Sequence, residues 1–94
     1  MSTPEGKVKL AIKEYLNGLQ PKLWYWMPVN SGFGIKGIPD FVGCYQGRFF
    51  AIEAKRGGGK PRSRQDLVMN LIRAAGGIVV VAETVEQVKA ALHG

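Results

Sequence analysis

Asp40 and Glu53 are carboxylates in unusual surroundings. Both stand within short apolar runs of the stretch GIPDFVGCYQGRFFAIEAKR, residues 37–56, and Lys55 lies two positions beyond Glu53. With Gln46-Gly47 as a two-residue hairpin turn, Tyr45 faces Arg48. Counting outward from that pair puts Asp40 directly opposite Glu53, and side chains so opposed have Cβ atoms roughly 4.5–5.5 Å apart. The two-residue period of a strand sets Lys55 on the same face, while Phe50, Ile52 and Ala54 point to the other. Pro39 is compatible with this, because proline is tolerated at the first residue of a strand.

Two facing carboxylates repel, so the hairpin is weakened unless something offsets them. A divalent cation does so, since hard ions such as Mg²⁺ and Mn²⁺ prefer oxygen ligands. Glu5 offers a third oxygen donor. It precedes Val8 by three residues and Ile12 by seven, which sets it on the buried side of an amphipathic opening helix. Lys55 would then stand beside the ion, close to a bound water. Taken singly, Asp40 is a turn residue at a strand start, and Glu53 and Lys55 are solvent-facing neighbours. Pro39-Asp40, Glu53-x-Lys55 and an inward Glu5 together favour a metal site.

The elements that must hold these residues read α-β-β-β-α-β-α. Val8, Ala11, Ile12, Tyr15, Leu16 and Leu19 recur at helical spacing after Thr3-Pro4, and Pro21 stops that helix. Leu23 to Val29 is rich in strand formers, with Pro28 marking an edge or a bulge at its far end. Trp24 and Trp26 share one face of it, read as core packing or a dimer contact ahead of base stacking. Asp40–Tyr45 and Arg48–Lys55 make the hairpin. Ser63-Arg64-Gln65-Asp66 has the capping-box form, and Leu67, Val68, Leu71, Ile72 and Ala75 continue a second helix to Gly76-Gly77. Ile78–Ala82 is a continuous apolar, β-branched run suited to a strand covered on both faces. Thr84 with Gln87 caps a last helix carrying Val85, Val88 and Leu92. One domain of 94 residues, without repeat or linker, is expected.

Thirteen Lys and Arg against seven Asp and Glu leave a net charge of +6, which favours a polyanionic partner, most often nucleic acid. Lys55, Arg56, Lys60, Arg62 and Arg64 fall within ten residues and surround Gly57-Gly58-Gly59. This segment leads into a helix N-terminus, where free backbone N–H groups also favour phosphate. With Lys36 of the glycine-rich loop, these cations form a candidate clamp on a DNA backbone, reading shape rather than sequence and weakening steeply with salt.

No nucleotide cofactor is expected. Gly32-x-Gly34-x-x-Gly37 precedes Pro39 and a strand instead of opening a helix, and Gly59-Lys60 is followed by Pro61 with alanine at position 54. Cys44 is the only cysteine, so disulfides and thiolate zinc clusters are excluded, and it reads as a small core filler. His93, next to last, reads as frayed and is discounted as a catalytic or metal residue. No apolar stretch approaches a membrane span, and MSTPEGKVKL lacks the apolar block of a secretion signal. A soluble protein retained in the cytoplasm is therefore expected.

Pro39-Asp40 followed after a hairpin by Glu53-Ala54-Lys55 resembles the PD-(D/E)xK nuclease superfamily. The wider pattern adds Glu5 in the opening helix, Gly37-Ile38-Pro39-Asp40, Ile52-Glu53-Ala54-Lys55, the glycine-basic loop and Ser63-Arg64-Gln65. In these the chain is similar, over essentially its whole length, to the stand-alone virus-type replication-repair nuclease (VRR-NUC) domain. The resemblance implies an α/β, restriction-endonuclease-like αβββαβα core, with a mixed central sheet flanked by helices. It also implies phosphodiester hydrolysis dependent on Mg²⁺ or Mn²⁺.

Carried over by position, Asp40, Glu53 and the backbone carbonyl of Ala54 bind the metal. Glu5 assists at the metal or its water shell, and Gln65 supports the site from the second helix. Lys55 either positions or deprotonates the attacking water, or stabilises transition-state charge as an ammonium. Stand-alone members are similar to Holliday-junction resolvases, so a homodimer acting on branched DNA is expected, four-way junctions above all, in a bacterial or phage-infected cell. The alternatives are a flap or restriction-type endonuclease, or a non-catalytic DNA-binding module on the same fold. A restriction enzyme usually needs base-reading elements for which this chain has little room, and a mere binder has no need of opposed carboxylates.

Overall fold

The computed structural model describes residues 4–29, 37–56 and 63–94. Its elements follow the order α1 (Pro4–Gly18), β1 (Leu23–Trp26), β2 (Phe41–Tyr45), β3 (Arg48–Ala54), α2 (Ser63–Ala74), β4 (Ile78–Ala82) and α3 (Val85–His93). The four strands form one mixed sheet in the order β1-β2-β3-β4. The first three make an antiparallel meander, and β4 returns parallel to β3 after the α2 crossover. This is the restriction-endonuclease-like α/β arrangement expected.

The hairpin turn sets the register on which everything else depends. Gln46 and Gly47 both have positive φ, 52° and 81°, as a two-residue hairpin turn of the kind that matches strand twist requires. Tyr45 accordingly pairs with Arg48 and Phe41 with Ile52. One step further out, Asp40 and Glu53 face one another.

On one side of the sheet, Phe41, Phe50, Ile52 and Ala54 pack with Ile12 and Leu16 of α1 and with Val88 and Leu92 of α3. All eight are buried, so this is the main core. Removing such side chains from water at roughly 25 cal/mol per Å² is the chief driving force for the fold. On the other side, α2 packs against β4 and reaches β3 through the Gln65–Glu53 hydrogen bond, with Met69 buried beneath it. Gly37 brings the segment before β2 against the start of α2. Its φ is +83°, and a Cβ there would come within 2.6 Å of the Arg64 carbonyl oxygen. Thr84 and Gln87 form the expected capping box at α3.

Several local expectations differ from the structure. β1 ends at Trp26, before Pro28, which has no N–H to continue the ladder. β4 is an edge strand in which only Ala82 is fully buried, because among the described residues its outer margin has no neighbouring strand. Trp24 and Trp26 are not core residues: they are 64% and 56% exposed. Cys44 is exposed too, in a cross-strand row between Trp24 and Phe49. His93 is no frayed end, since its Nε2 lies 3.0 Å from the Tyr15 hydroxyl and its ring meets Tyr45 edge-on. No helix among the described residues is long and apolar enough to cross a membrane.

Candidate metal centre

Three elements deliver three carboxylates to one end of the sheet. Glu5 comes from the first turn of α1, Asp40 from the residue before β2, and Glu53 from the penultimate position of β3. One carboxylate oxygen from each lies within 4.8 Å of the others.

Reciprocal hydrogen bonds fix the inner pair. The Asp40 N–H donates to Glu53 Oε1 at 3.1 Å, and the Ala54 N–H donates to Asp40 Oδ2 at 2.9 Å. Each side chain thus satisfies a backbone donor at the opposite strand end, where the regular ladder stops. Glu53 is only 2% exposed, and its second oxygen Oε2 accepts from Gln65 Nε2 at 2.7 Å. Gln65 reaches it from the first turn of α2, the end held by the Gly37 contact.

Lys55 completes the inner group. Its backbone N–H donates to the Ala82 carbonyl at 2.9 Å, extending the parallel pairing one residue past β3. Its Nζ lies 3.3 Å from Glu53 Oε2 and 3.6 Å from Glu5 Oε1. A further cation was not singled out by sequence reasoning: Lys9, whose Nζ is 3.2 Å from Asp40 Oδ1. The available signal was its spacing, one helical turn beyond Glu5 on the same face of α1. Among the described residues, no buried side-chain nitrogen or oxygen lacks a partner.

Of the expected phosphate-binding residues, Arg56 and Arg64 are exposed near this end of the sheet, Arg56 directly after Lys55 and Arg64 directly before Gln65. Lys36, Lys60 and Arg62 lie outside the described residues. The capping role expected of Ser63 rests on a side chain that is likewise outside them.

Burial pushes the Glu53 carboxyl above its ordinary value of 4.5, and the Asp40 charge pushes it further. Hydrogen bonding and attraction from Lys55, with the hydrogen bond from the Asp40 backbone, oppose the rise without cancelling it. The folded chain therefore holds this proton more tightly than the unfolded chain. The group contributes stability below the ordinary carboxylate value, and that contribution is lost as pH rises through the folded value. Without metal, wild type should lose thermal stability relative to Glu53→Gln as pH climbs from about 4.5 through the raised value. Melting curves of the two proteins in EDTA across that range check this.

The donor set fits a hard divalent cation: all three side chains are carboxylates, and their oxygens converge over a span that one ion and its inner waters can occupy. An excess of negative charge beside a buried carboxylate is the electrostatic condition that such an ion relieves.

An αβββαβα chain with a mixed sheet, whose β2–β3 hairpin gathers acidic groups and a lysine at its open end, defines a restriction-endonuclease-like protein. A solved structure of a VRR-NUC domain superposes on this chain with a TM-score of 0.75, at 25% sequence identity, over 95% of this chain and 94% of that one. The likeness supports a VRR-NUC domain and, with it, a nuclease family. No protein-family model matches the sequence, and no curated protein matches it.

Proposed function

We propose that this chain is a metal-dependent endodeoxyribonuclease that cuts branched DNA, four-way junctions above all, as a homodimer. The observation that carries the reading is the convergence of Glu5, Asp40 and Glu53 within 4.8 Å, with Lys55 held between two of them. A DNA-binding module has no use for that arrangement.

Asp40, Glu53 and Glu5 would hold Mg²⁺ or Mn²⁺ through carboxylate oxygens, with the Ala54 carbonyl as a further ligand. When bound, the ion supplies Lewis acidity, polarising the scissile phosphate and acidifying a water. Gln65 donates from Nε2 to Glu53 Oε2 and so fixes which way that carboxylate faces. Lys55 Nζ either takes a proton from the attacking water or, as an ammonium, donates to phosphate oxygens that gain charge. Arg56 and Arg64 bind backbone phosphates beside the centre, and Lys36, Lys60 and Arg62 complete the clamp. Their contacts are to phosphate, so the protein selects DNA shape more than sequence.

The dimer contact is assigned to the exposed surface on the β1–β2 half of the sheet. A groove there is lined by Trp24, Trp26, Val29, Phe49 and Ile72 among others, and among the described residues none that lines it is charged. In a chain of net charge +6, the described residues of this patch bring no cationic side chain to a phosphate backbone. A second copy of the same neutral surface meets it without a charge penalty, as a two-fold contact requires. Light scattering should give twice the chain mass for wild type and the single mass for Trp24→Glu.

The activity is tested by incubating labelled four-way junction, flap, linear duplex and single-stranded DNA with Mg²⁺, Mn²⁺ or EDTA. Cleavage of the junction in paired nicks, stopped by EDTA, is expected. Equal cutting of linear duplex would remove the junction preference. Tight binding without cleavage under any metal would leave only a DNA-binding module.

A further inference from the structure

Within this metal centre, whose existence the proposed function assumes, the ion pairs are crossed in a way that simple helix chemistry does not call for. Glu5 and Lys9 are four residues apart on α1, the spacing at which a glutamate and a lysine ordinarily pair with each other. Instead both reach across to the sheet end: Glu5 to Lys55 at 3.6 Å, and Lys9 to Asp40 at 3.2 Å. The result is two ion-paired groups, Lys9–Asp40 and Glu53–Lys55–Glu5, in which two cations face three carboxylates.

The carboxylate oxygens are not equally committed. Asp40 Oδ2 accepts from the Ala54 N–H, Glu53 Oε1 from the Asp40 N–H, and Glu53 Oε2 from Gln65 and Lys55. Asp40 Oδ1 faces Lys9. The two lysines also differ. Lys55 is 16% exposed and has carboxylates on two sides, whereas the Lys9 side chain is 41% exposed and pairs with one. An exposed ion pair is weak, and a long, half-solvated lysine gives up its partner at small cost. Within the facing Asp40–Glu53 pair, Asp40 Oδ1 is thus the oxygen that an incoming ion can take most easily, and Lys9 is the group that it must displace there.

We propose that Lys9 is a positioning residue of the metal centre, a tethered cation that holds Asp40 in the metal-free protein and yields Oδ1 to the divalent ion. The pairing holds Asp40 at its place facing Glu53 and offsets their repulsion before metal arrives. It also competes with the metal, so that Lys9 lowers the affinity that the three carboxylates would otherwise have. A purely structural surface lysine would leave that affinity unchanged.

The test is calorimetric titration of the full chain with Ca²⁺, a hard oxygen-seeking ion, in the absence of DNA. Lys9→Met should bind Ca²⁺ about 3–10-fold more tightly than wild type, because one competing and repelling charge is gone. Lys9→Arg, which keeps the charge, should bind close to wild type, as should Lys13→Met, which removes a charge one turn further along α1. Melting curves give a second readout: Ca²⁺ should raise the melting temperature of Lys9→Met by more than that of wild type. Unchanged or weaker binding by Lys9→Met, or equal tightening in Lys13→Met, would overturn the role of Lys9 and leave the metal centre standing. Failure of every variant, wild type included, to bind Ca²⁺ would sink the metal centre and Lys9 with it.

Discussion

Asp40→Asn and Glu53→Gln should each reduce DNA cleavage to the level seen in EDTA while leaving the protein folded. Each replacement keeps the side-chain shape and one carbonyl acceptor, so the Ala54 and Asp40 backbone N–H groups retain a possible partner. What each removes is the formal charge on an oxygen proposed as a metal ligand. For Glu53 the structural loss is partly repaid by relief of burial and of repulsion from Asp40, the two effects that raise its carboxyl pKa. Melting temperatures in EDTA should therefore lie within a few degrees of wild type, since a change of about 1 kcal/mol moves a domain of this size by roughly 4–8 °C. The rise in melting temperature on adding Mg²⁺ should vanish. Gel assays of junction cleavage, run beside thermal melts with and without metal, separate loss of function from loss of fold.

Lys55→Ala should keep metal-dependent DNA binding and lose cutting by about 10²–10⁴-fold, the usual worth of a positioned proton-transfer or charge-stabilising group. Lys55 is anchored through its backbone to Ala82, so deleting the side chain leaves the strand end in place. Its Nζ pairs with Glu53 and Glu5, and removing it leaves the carboxylate cluster more negative, which does not weaken cation binding. Single-turnover cleavage and filter binding in Ca²⁺ measure the two properties separately. Lys55→Arg then distinguishes the two roles open to the lysine. An arginine stays charged and cannot accept a proton, so partial rescue assigns a charge-stabilising role and no rescue assigns a proton-accepting one.

The facing of Asp40 and Glu53 in the candidate site was legible in the sequence because its geometry is local. A two-residue turn at Gln46-Gly47 fixes the hairpin register, and the register fixes which residue faces Asp40. The β-branched run at Ile78–Ala82 and the Thr84–Gln87 cap were equally self-contained, and the structure reproduces both boundaries. What escaped the sequence depends on how far one element reaches over another. Trp24, Trp26 and Cys44 have the residue types of a core, yet they stay exposed on the β1–β2 half of the sheet, while α2 packs against β4 at the other edge. The edge position of β4 is a matter of strand order, which its apolar pattern does not encode. Lys9 carried a spacing signal through Glu5, but its pairing with Asp40 appears only once α1 is laid across the sheet end. His93 read as a frayed terminus because nothing near it in sequence announces Tyr15, 78 residues away.

The central claim is that Glu5, Asp40 and Glu53 share one divalent ion. Anomalous diffraction from crystals soaked in Mn²⁺ tests it at the atoms concerned. One strong peak between the Asp40 and Glu53 carboxylates, with Glu5 bound directly or through a water, is the expected result. Manganese bound only elsewhere on the protein, with Lys9 and Lys55 still bridging the three carboxylates, would contradict it.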